Sequence, residues 1–427
     1  MPSLARFTRL PVLALTYAVL RGAAVWGLHP ATFPDSAGYQ NLDLSAPIDR
    51  TWPVPLQFFL VKSDHARVLV HVLIGALAWT FLASFLGKKR KFPTLVTIAT
   101  FVMGLSPQVI RYDLAILSES LTISVGVALV AATLVVADET SWRWRTLWSA
   151  LFVIFSMIRP QHMILLTLVT AVILANGLWK RRLPGFGGLF LVTACIVGFV
   201  QLWANRPTSE LNLYTVIVEQ VLTDNTRFAW FVDHGMPSIP GMRAATSYDY
   251  AEQAPKEVLD FLQLPTGQAP PQLVRVGGMQ FAHWVRNSGW STYAKYVISH
   301  PSDTRNRITE LLSPTLDPTN DRFLPLQTRT VIPRSLFFTW EVCVLLVLSG
   351  SAFALLNAQW RRSAVMMMSL LAVGAIYSAA MLTSGIEHPR HASTVAVLLR
   401  VCALAGVAEL FRRDVSADAP SAVAPGA

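Results

Sequence analysis

The sequence predicts an all-α integral membrane protein, with about 10 transmembrane helices and one large extracytoplasmic helical loop between the seventh and eighth. Three observations predict it. Of 427 residues, 53% are hydrophobic and only 14% charged, against roughly 25% charged in ordinary soluble chains. The apolar residues come in blocks of membrane-crossing length, about 17–25 residues each. Lys and Arg also concentrate in every second loop between those blocks.

The blocks run over 10–28, 66–86, 92–110, 115–137, 142–158, 162–179, 184–204, 336–356, 364–384 and 393–411. Arg6 and Arg9 precede the first in the manner of a signal peptide, but the many later blocks favour a retained helix. The fifth is short and stops at Arg159-Pro160. This divides the chain into a membrane module over 1–204, an extracytoplasmic domain over 205–335, a second membrane module over 336–413 and a tail over 414–427. The tail is small, Pro-containing and aperiodic, and is expected to be disordered and cytoplasmic.

One set of alternate loops holds Arg6 and Arg9, "GKKRK", Arg143 and Arg145, "WKRR", "QWRR", and Arg412 with Arg413. The opposite short loops hold only Arg50, Lys62, Arg111, Arg159 and Arg390. The cation-rich side is expected to be cytoplasmic, with both termini there, in the inner or plasma membrane. The formal charge of +10 could suggest a nucleic-acid partner, but segment 205–335 has twelve basic and twelve acidic residues and is neutral. The excess sits on the cytoplasmic rim, where the partner is the lipid bilayer, so nucleic acid is excluded. Cys195, Cys343 and Cys402 fall inside apolar blocks without metal or disulfide spacing and read as small hydrophobes. His65, His71, His234, His283 and His300 read as structural, since none has metal-ligand spacing to another.

The polar residues expected at the outer edge sit in four turns. They are "TFPDSAGY" (32–39) with Asp35 and Tyr39, "RYDLAILSES" (111–120) with Arg111, Asp113 and Glu119, "RPQH" (159–162), and "GIEHPRHAS" (385–393) with Glu387. Ionisable groups near a membrane are costly and usually functional. In "RPQH" and "HPRH", Pro160 and Pro389 suit the first turn of a helix entering from outside. The positive end of such a helix, flanked by Arg159 and His162 or by Arg390 and His391, is suited to a phosphate. Each feature also has an ordinary explanation: a loop Asp is commonly solvated, and an Arg at a span end can simply snorkel to lipid headgroups. Glu119 is harder to dismiss. With span four starting near Leu114 it lies at membrane depth and needs a partner. Asp113 and Glu119, six apart, share no helix face.

An acid in the first outer loop, an "LSESL"-type motif opening a later span, many spans and a large late external loop resemble the GT-C superfamily. These are integral membrane glycosyltransferases that use polyprenyl-phosphate sugars. The resemblance rests on "FPDSAGY" (33–39) and "YDLAILSESL" (112–121), with "GMP" (235–237) and "ISHP" (298–301) as weaker echoes. Many members carry two acids in the first motif. Here only Asp35 lies there, with Asp43 and Asp49 further on, similar to bacterial and actinobacterial mannosyl- or arabinosyltransferases.

The resemblance implies that the first outer loop, 29–65, is catalytic and that Asp35 is the general base for an inverting transfer. Arg159, His162, Arg390 and His391 at the two helix starts, with Arg111 as a further candidate, fit the role of holding the donor phosphate. Glu119, Asp113, Tyr39 and Glu387 would touch the sugar or orient those groups. The resemblance leaves a divalent metal open without indicating one and names no cofactor beyond the polyprenyl-phosphate-linked sugar donor, with a glycan, glycolipid or protein as acceptor. A lipid-linked glycan ligase shares the leaving group and is the nearest rival. A membrane O-acyltransferase would need a catalytic His within the membrane. A polyprenyl-linked glycan flippase would need polar residues along several spans, and only Arg21 and Arg400 stand out in mid-span.

Overall fold

The computed structural model describes residues 9–33, 35–40, 42, 52–88, 90–139, 141–179, 185–204, 206–238, 242–243, 276–317, 327–385 and 388–412. The tail 414–427, Asp43, Asp49 and Glu387 lie outside the described residues. Among the described residues the chain is helical, with two isolated β-bridges and no extended strand. It is an all-α, multi-span membrane protein. Each of the apolar blocks holds a helix: α1 (Arg9–Val25), α4 (Asp64–Leu86), α5 and α6 (Pro93–Gly104 and Pro107–Leu114), α7 (Glu119–Asp138), α8 (Trp142–Ile158), α9 (Met163–Trp179), α10 (Gly185–Ala204), α17 (Trp340–Leu356), α18 (Trp360–Thr383) and α19 (His388–Leu410). Five segments, Asp64–Leu86, Glu119–Asp138, Arg334–Leu356, Trp360–Thr383 and His388–Leu410, are long and apolar enough to cross a membrane unaided. Leu10–Val25, Pro160–Ala175 and Phe190–Val200 are shorter apolar helices.

Two boundaries differ from the sequence expectation. The third block does not stop at 110. It breaks after Gly104, turns by 52° and continues as α6 to Leu114. Pro107 opens α6, and without an N–H it cannot extend the ladder of α5. The fourth span begins at Glu119 rather than near Leu114, because Ala115 and Ile116 pair with the first loop instead of coiling.

The core lies around α19, which packs against α17, α18 and α7 and buries nearly its whole length. The outward faces of α1, α10 and α17 are apolar, with Leu15, Phe199 and Leu345 each more than 60% exposed, as lipid-facing residues are.

Mid-span charges are buried in pairs. Arg21 donates to Asp113 Oδ2 through Nε at 2.7 Å and to Oδ1 through Nη2 at 3.0 Å. Gly75 makes room for that guanidinium, since a Cβ there would sit 2.6 Å from Arg21 Nε. Arg400 donates to Asp317 Oδ1 at 2.6 Å. Neither arginine opens onto a polar route through the bundle, in keeping with the cost of an unpaired charge in hydrocarbon.

The segment between α10 and α17 has its own apolar core. The small helices α2 (Ser36–Gln40) and α3 (Pro53–Leu60) precede α4 in the first loop. In the domain itself, α11 (Arg206–Val216), α12 (Asn225–Asp233), α13 (Val276–Trp284), α14 (Trp290–Ser299), α15 (Pro301–Glu310) and α16 (Leu312–Leu316) follow in order. Leu213, Ile217, Phe231, Phe281, Trp284, Tyr293 and Tyr296 cluster inside it. The aromatic stretch 278–301 reads from sequence as a helix lying on the membrane surface. Its rings point into this core instead, a more favourable burial than a half-wet interface.

Candidate active site

The first outer loop is stitched to the break before α7. The Ala31 N–H donates to the Leu114 carbonyl at 2.8 Å, and the Ile116 N–H donates to the Ala31 carbonyl at 2.9 Å. Ser36 Oγ donates to the Ile116 carbonyl at 2.7 Å and accepts from the Phe33 N–H at 2.9 Å. These bonds satisfy backbone groups that the helix break would otherwise orphan. They also fix Asp35 beside the start of α7, whose first residue is Glu119.

Arg390, in the first turn of α19, joins the two acids. Its Nη2 donates to Asp35 Oδ2 at 2.8 Å and its Nε to Glu119 Oε1 at 2.7 Å. Arg159 reaches the same Glu119 oxygen through Nη2 at 2.5 Å and donates to Ser118 Oγ through Nε at 3.1 Å. Three helical starts therefore converge: α7, α19 and the 3-10 turn Pro160–His162 that leads into α9. Each points its positive end at the cluster. Among the described residues, two guanidiniums meet two carboxylates here.

The two acids differ in access. The Glu119 side chain is fully buried, whereas that of Asp35 is 39% exposed. Two atoms of the cluster, Glu119 Oε2 and Arg159 Nη1, are buried with no protein partner. Ser393 Oγ and Thr394 Oγ1, one turn along α19 from Arg390, share that condition. Buried polar atoms are nearly always satisfied, so this is where water or a polar ligand group fits. Glu119 has the geometry of an orienter, one oxygen fixing two arginines. Asp35 has that of the accessible carboxylate.

The remaining candidates divide. His391, beside Arg390, is partly buried and feels the charges of Arg159, Arg390 and Glu119. His162 is turned inward. Its ring stacks on Phe155 at 4.1 Å and its Nδ1 lies 2.9 Å from the Phe155 carbonyl. Tyr39 is buried with its ring edge-on to Phe58. The Arg111 guanidinium lies over the Tyr112 ring. Asp113, read from sequence as an outer-edge acid, is buried in the Arg21 pair and also accepts from Ser120 Oγ at 2.8 Å. It braces α1, α6 and α7 together. Ser118 and Ser36 escaped the sequence reading; the "SES" of 118–120 was the visible signal for the first. Among the described residues no three His, Cys, Asp or Glu side chains group as a metal set.

The outer domain is anchored beside the Arg390 turn. Gln220 Nε2 donates to the Ser384 carbonyl at 2.9 Å and Tyr293 OH to the Leu382 carbonyl at 2.8 Å. Gly385 lies so close to α11 that a Cβ would meet the Thr215 carbonyl at 2.3 Å.

No protein-family model matches the chain, and no curated protein matches it. Among solved structures, the fold is similar to the crystal structure of ArnT from Cupriavidus metallidurans bound to undecaprenyl phosphate. The two align with a TM-score of 0.32 and 12% identity over 96% of this chain and 78% of that one. That likeness is loose.

Proposed function

We propose that the chain is a membrane glycosyltransferase that moves a sugar from a polyprenyl-phosphate donor to an envelope acceptor on the extracytoplasmic face, with inversion. The observation that carries it is the Asp35–Arg390–Glu119–Arg159 chain of contacts at three converging helix starts.

Arg159 and Arg390 present guanidinium forks suited to phosphate oxygens, and Glu119 holds both in place. When the donor phosphate takes the Nη2 of Arg390, that guanidinium no longer neutralises Asp35 Oδ2, and the carboxylate accepts a proton more readily. Donor binding thereby readies the base. The acceptor hydroxyl then loses its proton to Asp35 as its oxygen attacks the anomeric carbon. The bond from that carbon to the phosphate oxygen breaks, and its electron pair leaves with polyprenyl phosphate. The leaving group gains a negative charge, which the two arginines and the helix starts are placed to stabilise. Glu119 Oε2 and the Ser393 and Thr394 hydroxyls supply partners for sugar hydroxyls. The first-loop motif supports a hexosyl or pentosyl unit of the mannose or arabinose kind.

The test is release of free polyprenyl phosphate from a panel of polyprenyl-phospho-sugars, with envelope extract as acceptor. Wild type should release it with one donor and Asp35→Asn should not. No release with any donor, or equal release by both proteins, would remove Asp35 from the chemistry and favour the glycan ligase.

A further inference from the structure

We propose that an open recess in the segment between α10 and α17 binds an uncharged saccharide. That this saccharide belongs to the acceptor rests on the transferase reading; that it binds does not.

The recess has a volume of about 560 Å³, within the range of about 300–1,000 Å³ typical of small-molecule sites. Among the described residues, one wall is Gln280, His283, Trp284, Asn287 and Ser288, and the other is Gly235 with Pro237. The first five recur at the three- and four-residue spacing of one helix face. They run from α13 into the wider, π-helical turn Val285–Gly289 that follows it. The back of that turn is fixed: Val285 and Gly289 are buried, and a Cβ on Gly289 would sit 2.6 Å from Leu213 Cδ2 of α11. Asn287 and Ser288 are thus exposed on a backbone held from behind. The opposite wall is also firmly placed. Gly235 has a φ of 94°, which suits glycine. Met236 is buried in the core, and its N–H donates to the Phe231 carbonyl at 2.9 Å.

The chemistry of the walls selects the ligand. Gln280, His283, Asn287 and Ser288 are exposed, and no Lys, Arg, Asp or Glu stands among the described lining residues. Each amide offers a donor and an acceptor on neighbouring atoms, which matches adjacent hydroxyls on a sugar ring. Asn287 Nδ2 lies 3.0 Å from His283 Nε2, so the two side chains are presented together. Pro237 and Trp284 supply carbon surface for the C–H face of the same ring. A lipid tail would strand the four polar groups without partners. The helix runs on into α14, whose Tyr293 OH donates to the Leu382 carbonyl. The recess is thereby tied to the turn that leads to Arg390.

Saturation-transfer NMR on the full-length protein in a sugar-free detergent tests this. The probes are gluco-, manno- and arabino-configured disaccharides, with glucuronic acid, inorganic phosphate and trialanine as contrasts. At least one disaccharide should bind, more strongly than any contrast. Asn287→Leu removes an amide and Ser288→Trp fills the space; both positions are exposed, so the fold should hold. Each should weaken binding on the order of tenfold, the worth of one or two hydrogen bonds. Binding of no disaccharide, stronger binding of a contrast probe, or binding unchanged in both variants overturns the proposal. Asp35→Asn should bind the saccharide as wild type does. Saccharide binding by a wild type that releases no polyprenyl phosphate would leave this site standing and remove only its link to the acceptor.

Discussion

Asp35 and Arg390 stand 355 residues apart and meet through a 2.8 Å hydrogen bond from Nη2 to Oδ2. The bond sits where a loop near Asp35 meets the first turn of α19, so it closes that end of the bundle. Under the proposed mechanism it makes a base and a phosphate-binding fork compete for one contact. Asp35→Asn should lower turnover by about 10²–10⁴-fold, the usual worth of a positioned base. Donor affinity should hold or improve, since Arg390 is released from a full negative charge. Measuring donor binding and polyprenyl phosphate release on the same preparation separates the effects. A parallel loss of both would mark Asp35 as a structural partner of Arg390 and nothing more.

Glu119 carries the opposite expectation. It is buried and serves two arginines through one oxygen. Glu119→Gln removes the carboxylate that two buried guanidiniums share, at a cost of about 3–5 kcal/mol. Thermal unfolding in detergent should drop sharply. Arg159→Lys keeps the charge and discards the fork; it should leave the fold intact and weaken donor binding by about tenfold. A Glu119→Gln protein with wild-type stability would contradict this division of labour.

The helical segments were legible because hydrocarbon forces every backbone group into a helix and so imposes long apolar blocks. The outer turns carrying Asp35, Glu119, Arg159 and Arg390 were legible as polar interruptions of those blocks. Which of their side chains meet was not. Glu119 and Arg390 lie 271 residues apart, and their pairing depends on the parallel packing of α7 and α19, which no local pattern encodes. Asp113 was misplaced for a related reason. Its partner Arg21 lies 92 residues away, and the bend at Gly104–Pro107 turns α6 inward. His162 looked like a phosphate ligand in "RPQH", but the 3-10 turn rotates its ring onto Phe155.

The Arg21–Asp113 pair gives a cycle with a distinctive sign. Arg21→Met or Asp113→Asn alone strands a charge in the membrane interior and should destabilise by about 3–5 kcal/mol. The double variant removes both charges together and should recover most of the loss. Thermal unfolding of the four proteins measures the coupling. Additive losses would show that the two side chains act separately.

The outer domain should respond to acid through Asp303. Burial opposes its charge, but Arg227, at 2.7 and 3.1 Å, and Tyr296 OH, at 2.9 Å, outweigh it and hold Asp303 below its usual range. The depressed pKa makes the unfolded chain bind the proton first. The contribution is therefore complete above the ordinary value, about pH 4. It declines as the pH falls from there through the depressed value. Limited proteolysis of the domain between about pH 3 and 6 should show acid sensitivity, and Asp303→Asn should be less stable at neutral pH with a flatter profile. An identical profile in the variant would remove Asp303 as the sensor.

Gly385 tests whether the outer domain positions the Arg390 turn. A Cβ at this residue would meet the Thr215 backbone carbon and oxygen at 2.3 Å, and that backbone belongs to α11 and cannot swing aside as a side chain would. Gly385→Val therefore has to push α11 away from the turn. That strains the Gln220-to-Ser384 and Tyr293-to-Leu382 bonds on either side. The spans beneath do not depend on this contact, so the bundle should still fold, with a loss in thermal stability of about 1–3 kcal/mol from overpacking. Catalysis should suffer more, because a misplacement near 1 Å costs about 10²-fold where reacting groups must align. Turnover falling well beyond the loss of folded protein, with donor binding changed little, is the expected outcome. Unchanged turnover would mean that the domain docks on the bundle without setting its geometry.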